Sequence, residues 1–384
     1  MASTSCSRSC RKAGAETITD LAAAFGPDLS KLALPVDRLL EGMLRAYSPT
    51  GAIGPVVDHL WQALPQLGLQ PSLDKAGNLV ADIGTGPVRV ALVGHVDTVP
   101  GVVPVRREGQ LLFGRGAVDA KGPFAAFCAA ASLAAAAEPS LSLKVIGCKD
   151  EEGPSLGAQG IDPTYQPHHG IVGEPSGARS ITLGYKGMVR LVYERSTESA
   201  HSSDGEKPNA LDDTLTFWNR LLAFHSEHTV HDSAFESLQV SPRSMTTTDD
   251  GLAMRASLRV DFRLPPGFDL QTLQSFAQKY RMGGTLQWSG ATPPVVVEKN
   301  TPLVRAFVRA IRDEGGDPTF KKKTGTADLN ELYPRWKVPM VAYGPGDSSL
   351  DHTPHEHITL AELEEGTRVL TRVLVALGRR GAAG

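Results

Sequence analysis

The sequence predicts an α/β fold, in which a mixed, largely parallel sheet flanked by helices is interrupted by a smaller α+β domain. Two observations support this prediction. Between residues 39 and 184, and again after 290, apolar runs of strand length alternate with helical segments, as expected for strands buried on both faces of a sheet. Between about 185 and 290, apolar residues instead alternate with polar ones, which is typical of half-exposed antiparallel strands.

The elements of the main domain follow from their periodicity. Helical apolar spacing predicts helices over 39–47 and 54–67, and an alanine-rich segment predicts a third over 123–137. Short apolar runs predict strands, in chain order, over 79–83, 88–93, 141–148, 169–172 and 340–343. Acidic residues or histidines follow the last four strands closely. Open α/β sheets place their ligand sites beyond the carboxyl ends of their strands, so we expect a site there.

The inserted segment has its own pattern. Strands are predicted over 187–194, 252–263 and 285–288, and helices over 210–224 and 270–280. This pattern indicates the order β-α-β-β-α-β of a small split βαβ domain. We therefore divide the chain into an N-terminal extension over 1–36, expected to be disordered, a main domain over 37–184 and 291–384, and an inserted domain over 185–290.

The composition excludes several classes of protein. The 384 residues are 41% hydrophobic and 21% charged, which allows two domains with cores of their own. A net charge of −3 and a pI near 6.4 predict no general attraction to nucleic acid. Four cysteines in so long a chain do not make a disulfide framework. No apolar run reaches the ~18–20 residues that span a bilayer, and residues 1–14 lack the apolar core of a signal peptide, so we expect no membrane association and a cytoplasmic location.

His95 and Asp97 lie at the end of one predicted strand, two residues apart, so their side chains would point the same way. In metal sites a histidine binds the ion through one ring nitrogen while a carboxylate accepts from the other. A structural His–Asp pair is the alternative. Asp119 follows in a glycine-rich loop that leads into the alanine-rich helix. Its two oxygens could bridge two metal ions, or it could cap the helix.

Glu151 and Glu152 directly follow a buried strand. Two adjacent carboxylates at such an edge would repel each other unless a cation neutralises them. One could bind metal while the other accepts a proton from a metal-bound water. A pair of glutamates on a solvated loop is the alternative interpretation. Glu174 stands at the end of the next strand, and the same reasoning applies to it.

His352 lies in a polar loop with His355, Glu356 and His357, and the spacing alone does not decide which of them would coordinate. Taken together, these segments indicate a metal site more strongly than any one of them, because nitrogen and oxygen ligands without cysteine recur at successive strand ends. Such a set suits Zn²⁺, Co²⁺ or Mn²⁺ and indicates a metal-dependent hydrolase. A nucleotide-binding enzyme is not favoured, because the Gly114-x-Gly116 pair lacks the third glycine at the required spacing.

The segments described above resemble those of a known family, the M20 metallopeptidases. This family includes acetylornithine deacetylase, succinyl-diaminopimelate desuccinylase and carboxypeptidase G. The resemblance runs from about residue 39 to 377. It is carried by four motifs: Gly-His-Val-Asp-Thr-Val-Pro at 94–100, Gly-Arg-Gly-x-x-Asp-x-Lys-Gly at 114–122, Asp-Glu-Glu-Gly at 150–153, and His-x-x-x-Glu at 352–356.

The resemblance implies two divalent metal ions per subunit, Zn²⁺ in the first place with Co²⁺ as an alternative. The implied ligands are His95, Asp119, Glu152, Glu174 and His352. His95 and Glu174 would bind one ion, Glu152 and His352 the other, and Asp119 would bridge them. Glu151 would be the general acid/base, and Asp97 would orient His95. In the family the peptide bond after the bridging aspartate is cis, which here is Asp119–Ala120.

The resemblance also gives the inserted domain a role in dimerisation and as a lid. In the family, the segment similar to Ser199-Ala200-His201-Ser202 carries a histidine that reaches the partner's active site and stabilises an oxyanion, which implies this role for His201 in a homodimer. Arg263 is a candidate for contact with a substrate carboxylate. The loop at 324–330 looks like a substrate loop, in which the backbone N–H groups of Gly325 and Thr326 would hold the substrate's α-carboxylate.

Within the family, two segments resemble the hydrolases that release lysine or ornithine from a small acidic amino-group carrier protein in lysine and arginine biosynthesis. They are Gly-Ala-Val-Asp-Ala-Lys-Gly-Pro at 116–123 and Lys-Thr-Gly-Thr-Ala-Asp-Leu-Asn at 323–330. A basic rim, predicted from Lys321, Lys322 and Lys323 and three nearby arginines (Arg305, Arg309 and Arg312), would steer an acidic partner. A solvated charge run is the alternative. The rival functions are deacetylation of acetylornithine or acetyl-lysine, another M20 carboxypeptidase activity, and a noncatalytic metal-binding scaffold.

Overall fold

The computed structural model describes residues 26–201, 203, 207, 209–381, and the first 25 residues of the predicted extension lie outside this range. The remainder of that extension was assigned wrongly. A 3₁₀ turn at Leu29–Lys31 precedes Leu32, and both Leu32 and Val36 are buried in the core of the main domain. The main domain therefore begins several residues earlier than predicted, because these side chains complete its apolar core.

The strands and helices of the described residues are numbered in chain order. The strands are β1 (Gln70–Leu73), β2 (Leu79–Ile83), β3 (Val88–His95), β4 (Arg106–Glu108), β5 (Leu111–Phe113), β6 (Leu141–Cys148), β7 (His169–Gly173), β8 (Ser180–Tyr185), β9 (Gly187–Glu198), β10 (Gln239–Asp249), β11 (Ala253–Leu264), β12 (Thr285–Thr292), β13 (Val295–Val296), β14 (Thr319–Lys323), β15 (Met340–Ala342) and β16 (His357–Thr359). The helices are α1 (Val36–Arg45), α2 (Gly54–Ala63), α3 (Lys121–Ala137), α4 (Leu156–Gln159), α5 (Ala210–Glu227), α6 (Leu270–Lys279), α7 (Pro302–Asp313), α8 (Asp328–Trp336) and α9 (Leu360–Gly381).

The main sheet is mixed, as predicted, and it is flanked by helices. Its strand order is β1-β2-β6-β3-β7-β15-β8-β13, and β14 also pairs with β8. The four central strands, β6, β3, β7 and β15, are parallel to one another. The β1–β2 hairpin, β2 against β6, and the pairs of β8 with β15 and β13 are antiparallel. Parallel pairing is thus concentrated at the centre, and the carboxyl ends of those strands meet at one edge.

Small residues bring α3 close to the central strands. Most of α3 is buried, and its alanines let it pack against both α1 and α9. At the strand ends, a Cβ atom built on Gly94 would lie 3.2 Å from the ring of Phe124, and one on Gly173 would lie 2.9 Å from that of Phe127. The two glycines therefore leave the space in which the aromatic rings of α3 pack, and α3 begins directly after the loop that carries Asp119.

The inserted domain has the predicted β-α-β-β-α-β order, formed by β9, α5, β10, β11, α6 and β12. Its four strands form one antiparallel sheet in the order β10-β11-β9-β12. Apolar side chains of β9, β11, α5 and α6 form a separate core under this sheet. Strand β10 was not located from the sequence, because it is an edge strand whose polar residues are mostly exposed and leave no apolar alternation. None of the described helices combines the length and apolar character that a membrane span requires.

Candidate active site

The candidate site lies where the central parallel strands end. His95 is the last residue of β3 and stands opposite Cys148, the last residue of β6. Glu151 and Glu152 follow β6, and Glu174 follows β7, which pairs with the other side of β3. Parallel neighbours end at the same edge of a sheet, so the register itself collects these side chains.

Asp119 lies between two histidines. Its Oδ1 is 3.1 Å from His95 Nε2, and its Oδ2 is 3.1 Å from His352 Nε2. His352 Nε2 is also 2.9 Å from Glu152 Oε1. Each oxygen of one carboxylate thus faces a different ring nitrogen, and this arrangement can serve two cations at once. His352 itself has a left-handed backbone, with φ at 62°, a conformation that costs energy in a residue with a side chain.

The close donors fall into two groups. One ligand atom each from His95, Glu151 and Glu152 lies within 4.8 Å of the others, and so do atoms from Asp119, Glu152 and His352. The first group differs from the expected pairing of His95 with Glu174, because Glu151 takes the place beside His95, with its Oε2 4.0 Å from His95 Nε2. Glu174 is buried nearby and interacts electrostatically with Asp119 and His95.

The cluster carries more negative charge than its described neighbours neutralise. Burial raises the pKa of Glu151 and of Glu174 well above the usual value, and neighbouring carboxylates raise both further. Burial also raises the pKa of Glu152. Hydrogen bonds with Asp119 and Glu152 raise the pKa of His352 to about 10. A site that favours protons on its glutamates and on a histidine is one that divalent cations would stabilise.

Asp97 does more than the sequence suggested. His95 Nδ1 is 3.5 Å from a carboxylate oxygen of Asp97 and only 2.9 Å from its backbone carbonyl. The carboxylate also accepts hydrogen bonds from the backbone N–H groups of Glu151 and Glu152, at 3.1 and 3.3 Å, and from the hydroxyl of Thr50 at 2.8 Å. Although Asp97 is fully buried, these bonds and His95 lower its pKa. Asp97 therefore holds both the histidine and the turn that carries the two glutamates.

Glu356 is a second supporting carboxylate that sequence reasoning noted only as part of a motif. It is fully buried and accepts from the backbone N–H groups of Val118 and Asp119 at 3.0 and 3.1 Å. Its other oxygen accepts from Arg115 at 2.8 Å, and Arg115 also donates to the carbonyl of Thr353. The loops of Asp119 and His352 are thereby joined. The expected cis peptide bond between Asp119 and Ala120 is confirmed.

The inserted domain contributes Arg263 to this region. Arg263 Nη1 donates to the hydroxyl of Thr326 at 3.1 Å, and its charge also acts on Glu151. Thr326 and Gly325 belong to the loop that precedes α8, where a side chain at Gly325 would meet no atom within 4 Å. A guanidinium and a polar loop are thus placed together beside the carboxylate cluster.

His201 lies in the exposed part of the inserted domain. Within the described residues its ring bonds only to Ser203, whose hydroxyl is 2.8 Å from Nδ1. Ser202, from the same motif, lies outside the described residues. The structure therefore does not bring His201 into contact with the site of its own chain, and its predicted role concerns a second subunit.

The three lysines predicted to form one basic rim point in different directions, because they lie on strand β14. Lys321 Nζ donates to the carbonyl of Ser176 at 2.7 Å. Lys322 lies with its Nζ 5.1 Å from the ring centre of Phe235, in the inserted domain. Lys323 faces the site, where its charge acts on Glu174.

Comparisons with known proteins agree with this geometry. The model of peptidase family M20/M25/M40 matches residues 91–376. A LysW-lysine hydrolase from Deinococcus radiodurans is 40% identical over 326 residues, 83% of this chain and 89% of the relative. A LysW-lysine/LysW-ornithine hydrolase from Saccharolobus islandicus is 31% identical over 293 residues, 74% and 80% of the two chains.

Solved structures show the same fold at lower identity. The M20 family metallo-carboxypeptidase Sso-CP2 from Sulfolobus solfataricus superposes with a TM-score of 0.75 at 18% identity, over 90% of this chain and 99% of that one. Aminopeptidase PepT from Bacillus cereus gives a TM-score of 0.73 at 15% identity, with coverage of 90% and 99%. The chain therefore belongs to peptidase family M20/M25/M40 and is a hydrolase of a family that uses divalent metal ions.

Proposed function

We propose that this protein is a dinuclear metal hydrolase that releases lysine or ornithine from the C-terminal glutamate of a small acidic amino-group carrier protein in lysine and arginine biosynthesis. The observation that carries the hydrolytic part is Asp119, whose two oxygens face His95 and His352 while Glu151 lies 4.0 Å from His95. The carrier-linked substrate is supported by the relatives named as LysW-lysine and LysW-ornithine hydrolases.

The donor set fits a pair of divalent ions. It contains imidazole nitrogens and carboxylate oxygens without a thiolate, a combination that suits Zn²⁺ first and Co²⁺ as an alternative. The residues that would hold the ions are His95, Asp119, Glu152, Glu174 and His352. When bound, the ions would polarise the scissile carbonyl and lower the pKa of the attacking water to about 7.

Glu151 is the group placed to move protons. It is half-buried at the edge of the cluster, and the backbone N–H that it donates to Asp97 fixes its position. In the proposed reaction, its carboxylate accepts the proton of the attacking water and returns it to the amine that leaves from the isopeptide bond. Asp97 keeps the imidazole of His95 and the Glu151–Glu152 turn in place throughout, so that the base does not drift from the reacting carbonyl.

The proposed contacts with the substrate follow from where these residues lie around the cluster. Arg263, bonded to Thr326, lies where its guanidinium could pair with the α-carboxylate of the released amino acid, and the backbone of Gly325 and Thr326 would hold the same group. His201 would reach the active site of the partner subunit and stabilise the oxyanion. A homodimer is supported by the open edge of β10, eleven residues long, since an exposed edge strand is a template for pairing with another chain.

A basic groove supports an acidic protein partner. We define it by Phe320 on β14, Lys299 before α7, and Arg305, Arg309 and Arg312 on α7. Asp313 is the one acidic residue of its described lining, although the whole chain has a net charge of −3. Lys299 lies over the half-exposed ring of Phe320, at 3.9 Å.

Strand β14 connects this groove with the active site. Phe320 lies in the groove and Lys323 beside Glu174, and three residues of strand span about 10 Å. A carrier bound over β14 could therefore reach the site with its C-terminal tail. A free N-acetyl amino acid would have no use for such a surface.

The test compares substrates. We expect kcat/KM for lysine or ornithine linked to the carrier to exceed that for acetyl-lysine and acetylornithine by a factor on the order of 10² or more, because the groove adds binding energy only for the carrier. Equal or higher activity on the free acetylated amino acids would reject the carrier and favour a deacetylase of the same family.

A further inference from the structure

The side-chain amide of Asn330 joins three segments at the junction of the two domains. The chain enters the inserted domain through Lys186, between β8 and β9, and returns at 293–294, between β12 and β13. Asn330 lies in the first turn of α8 and is fully buried. Its Nδ2 donates to the carbonyl of Lys186 at 3.0 Å and to that of Pro293 at 2.7 Å. One amino group therefore binds both interdomain linkers.

The oxygen of the same amide holds the loop beside the active site. Asn330 Oδ1 accepts from the backbone N–H of Ala327 at 2.9 Å. Ala327 ends the loop 324–327 that contains Gly325 and Thr326. An asparagine amide has two N–H donors and one carbonyl acceptor, and all are used here. No rotation of the side chain can release one linker while it keeps the other contacts.

The side chain of Lys186 also fixes this linker to the inserted domain. Lys186 Nζ donates to the carbonyls of Ala234 (2.8 Å) and Ser237 and to the side-chain oxygen of Gln239 at 3.1 Å. The linker residue bound by Asn330 is therefore also fixed to a loop of the inserted domain. Arg263 of the inserted domain reaches the loop 324–327 independently, through its bond to Thr326.

We propose that Asn330 is a positioning residue that couples the orientation of the inserted domain to the conformation of the loop 324–327. Domain rotation in proteins is absorbed by a few residues at the linkers, and here both linkers share one buried side chain with the loop. A rotation that moves the carbonyl of Lys186 or Pro293 must break a bond of the amide that caps Ala327. The loop is thus ordered when the domains take the orientation seen in this structure.

The proposal rests on the proposed function only where it treats the loop 324–327 as substrate-binding. The coupling itself is measurable without any substrate, by backbone hydrogen exchange followed by mass spectrometry. Asn330→Asp keeps an oxygen for the N–H of Ala327 but has no donor for the linker carbonyls. Asn330→Ala removes both functions. Asn209→Ala is the matched control, because Asn209 also caps a helix, α5, with its side-chain oxygen but contacts neither linker.

In Asn330→Asp we expect backbone exchange in the linkers to rise about tenfold or more, at 185–187 and at Thr292 and Val295, since Pro293 and Pro294 have no backbone N–H. Local opening follows the loss of the bonds that oppose it. In Asn330→Ala the loop 324–327 should exchange faster as well. Both variants should keep the wild-type metal content, while kcat/KM for the carrier-linked substrate falls roughly tenfold. Asn209→Ala should change exchange only at the start of α5. If Asn330→Asp does not fold, Asn330→Ala still tests the linkers, because alanine also has no donor for the carbonyls of Lys186 and Pro293.

Two results would overturn the proposal. The first is wild-type exchange in the linkers of both variants. The second is faster linker exchange with wild-type kcat/KM, because the loop would then be independent of the hinge. If wild-type protein instead fails to act on the carrier-linked substrate, the proposed function is wrong, but the exchange measurement still decides whether Asn330 couples the two domains.

Discussion

The carboxylate of Glu356 accepts the backbone N–H of Asp119 at 3.1 Å, although the two residues are 237 positions apart in the chain. The same oxygen accepts the N–H of Val118, and the other oxygen pairs with Arg115. Asp119 therefore depends on a residue four positions after His352 for its place. The motif that contains Asp119 and the motif that contains His352 therefore form one hydrogen-bonded unit.

We expect Glu356→Gln to weaken metal binding by about 10–100-fold, as is usual when a group that orients a ligand is changed. The variant keeps an acceptor oxygen but replaces a charge paired with Arg115. Metal affinity is measured by competition with a chelator. Glu314→Gln is a control, because Glu314 is a half-buried glutamate paired with arginines, Arg368 and Arg372 on α9, away from the cluster. Equal metal affinity in the two variants would contradict the role of Glu356.

Glu151→Gln should retain metal and lose turnover. The amide cannot accept the proton of the attacking water, so kcat should fall by a factor on the order of 10²–10⁴. Because Gln keeps the backbone N–H that Asp97 binds, the turn should remain in place. Metal content and kcat measured on the same preparation check this expectation. A variant that keeps wild-type kcat would rule out Glu151 as the general acid/base.

Asp119→Ala should lose the metal pair. Without the carboxylate, the ring nitrogens of His95 and His352 have no shared partner, and the remaining glutamates are left to repel one another. Elemental analysis after dialysis should give clearly fewer ions per chain than the wild type. Unchanged metal content would mean that Asp119 does not bridge.

Charge reversal in the basic groove should affect only the carrier-linked substrate. Arg309 is 85% exposed and has one long contact to Asp313, at 3.8 Å, so Arg309→Glu leaves the fold intact. We expect kcat/KM for the carrier-linked substrate to fall about tenfold at low salt and less at high salt, while hydrolysis of a free N-acyl amino acid is unchanged. Arg38→Glu, on α1, serves as the control because Arg38 is also exposed. Equal effects of the two reversals would contradict docking in the groove.

Acid should destabilise the protein in part through His169. Burial lowers the pKa of His169 to about 4, whereas an unfolded histidine titrates near 6.5. The unfolded state therefore binds more protons between these values, and stability falls as the pH drops from about 6.5 towards 4. In His169→Phe this part of the loss should vanish, so the urea midpoint should depend less on pH than in the wild type. If the urea midpoints of His169→Phe and of the wild type change with pH to the same extent, His169 does not contribute to the destabilisation by acid.

The positions of many strands and helices were predictable, because buried elements leave runs or regular spacings of apolar residues in the sequence. The runs at β3, β6 and β7 predicted both the sheet and the edge at which His95, Glu151 and Glu174 appear. The roles of Asp97 and Glu356 were only partly visible, because a carboxylate that binds backbone N–H groups of a distant loop leaves no periodic signal. Strand β10 was missed for a related reason, since its partner is β11 and its residues face solvent.

The lysines of β14 show that consecutive charged residues in a sequence need not form one charged patch on the surface. Three consecutive residues look like one patch in sequence, but on a strand the middle side chain points away from its neighbours. Lys321 therefore contacts Ser176 while Lys322 approaches Phe235. The arginines of α7 share a groove because helical spacing brings residues three to four apart onto one face.

Gly94 and Gly173 bear on how this enzyme could be altered. A larger residue at either position would push against the ring of Phe124 or Phe127, which α3 packs beneath the cluster. Directed evolution aimed at new substrates should therefore accept few changes beneath the cluster. Useful diversity should accumulate instead at 324–326 and along β14, whose residues are half-buried or exposed.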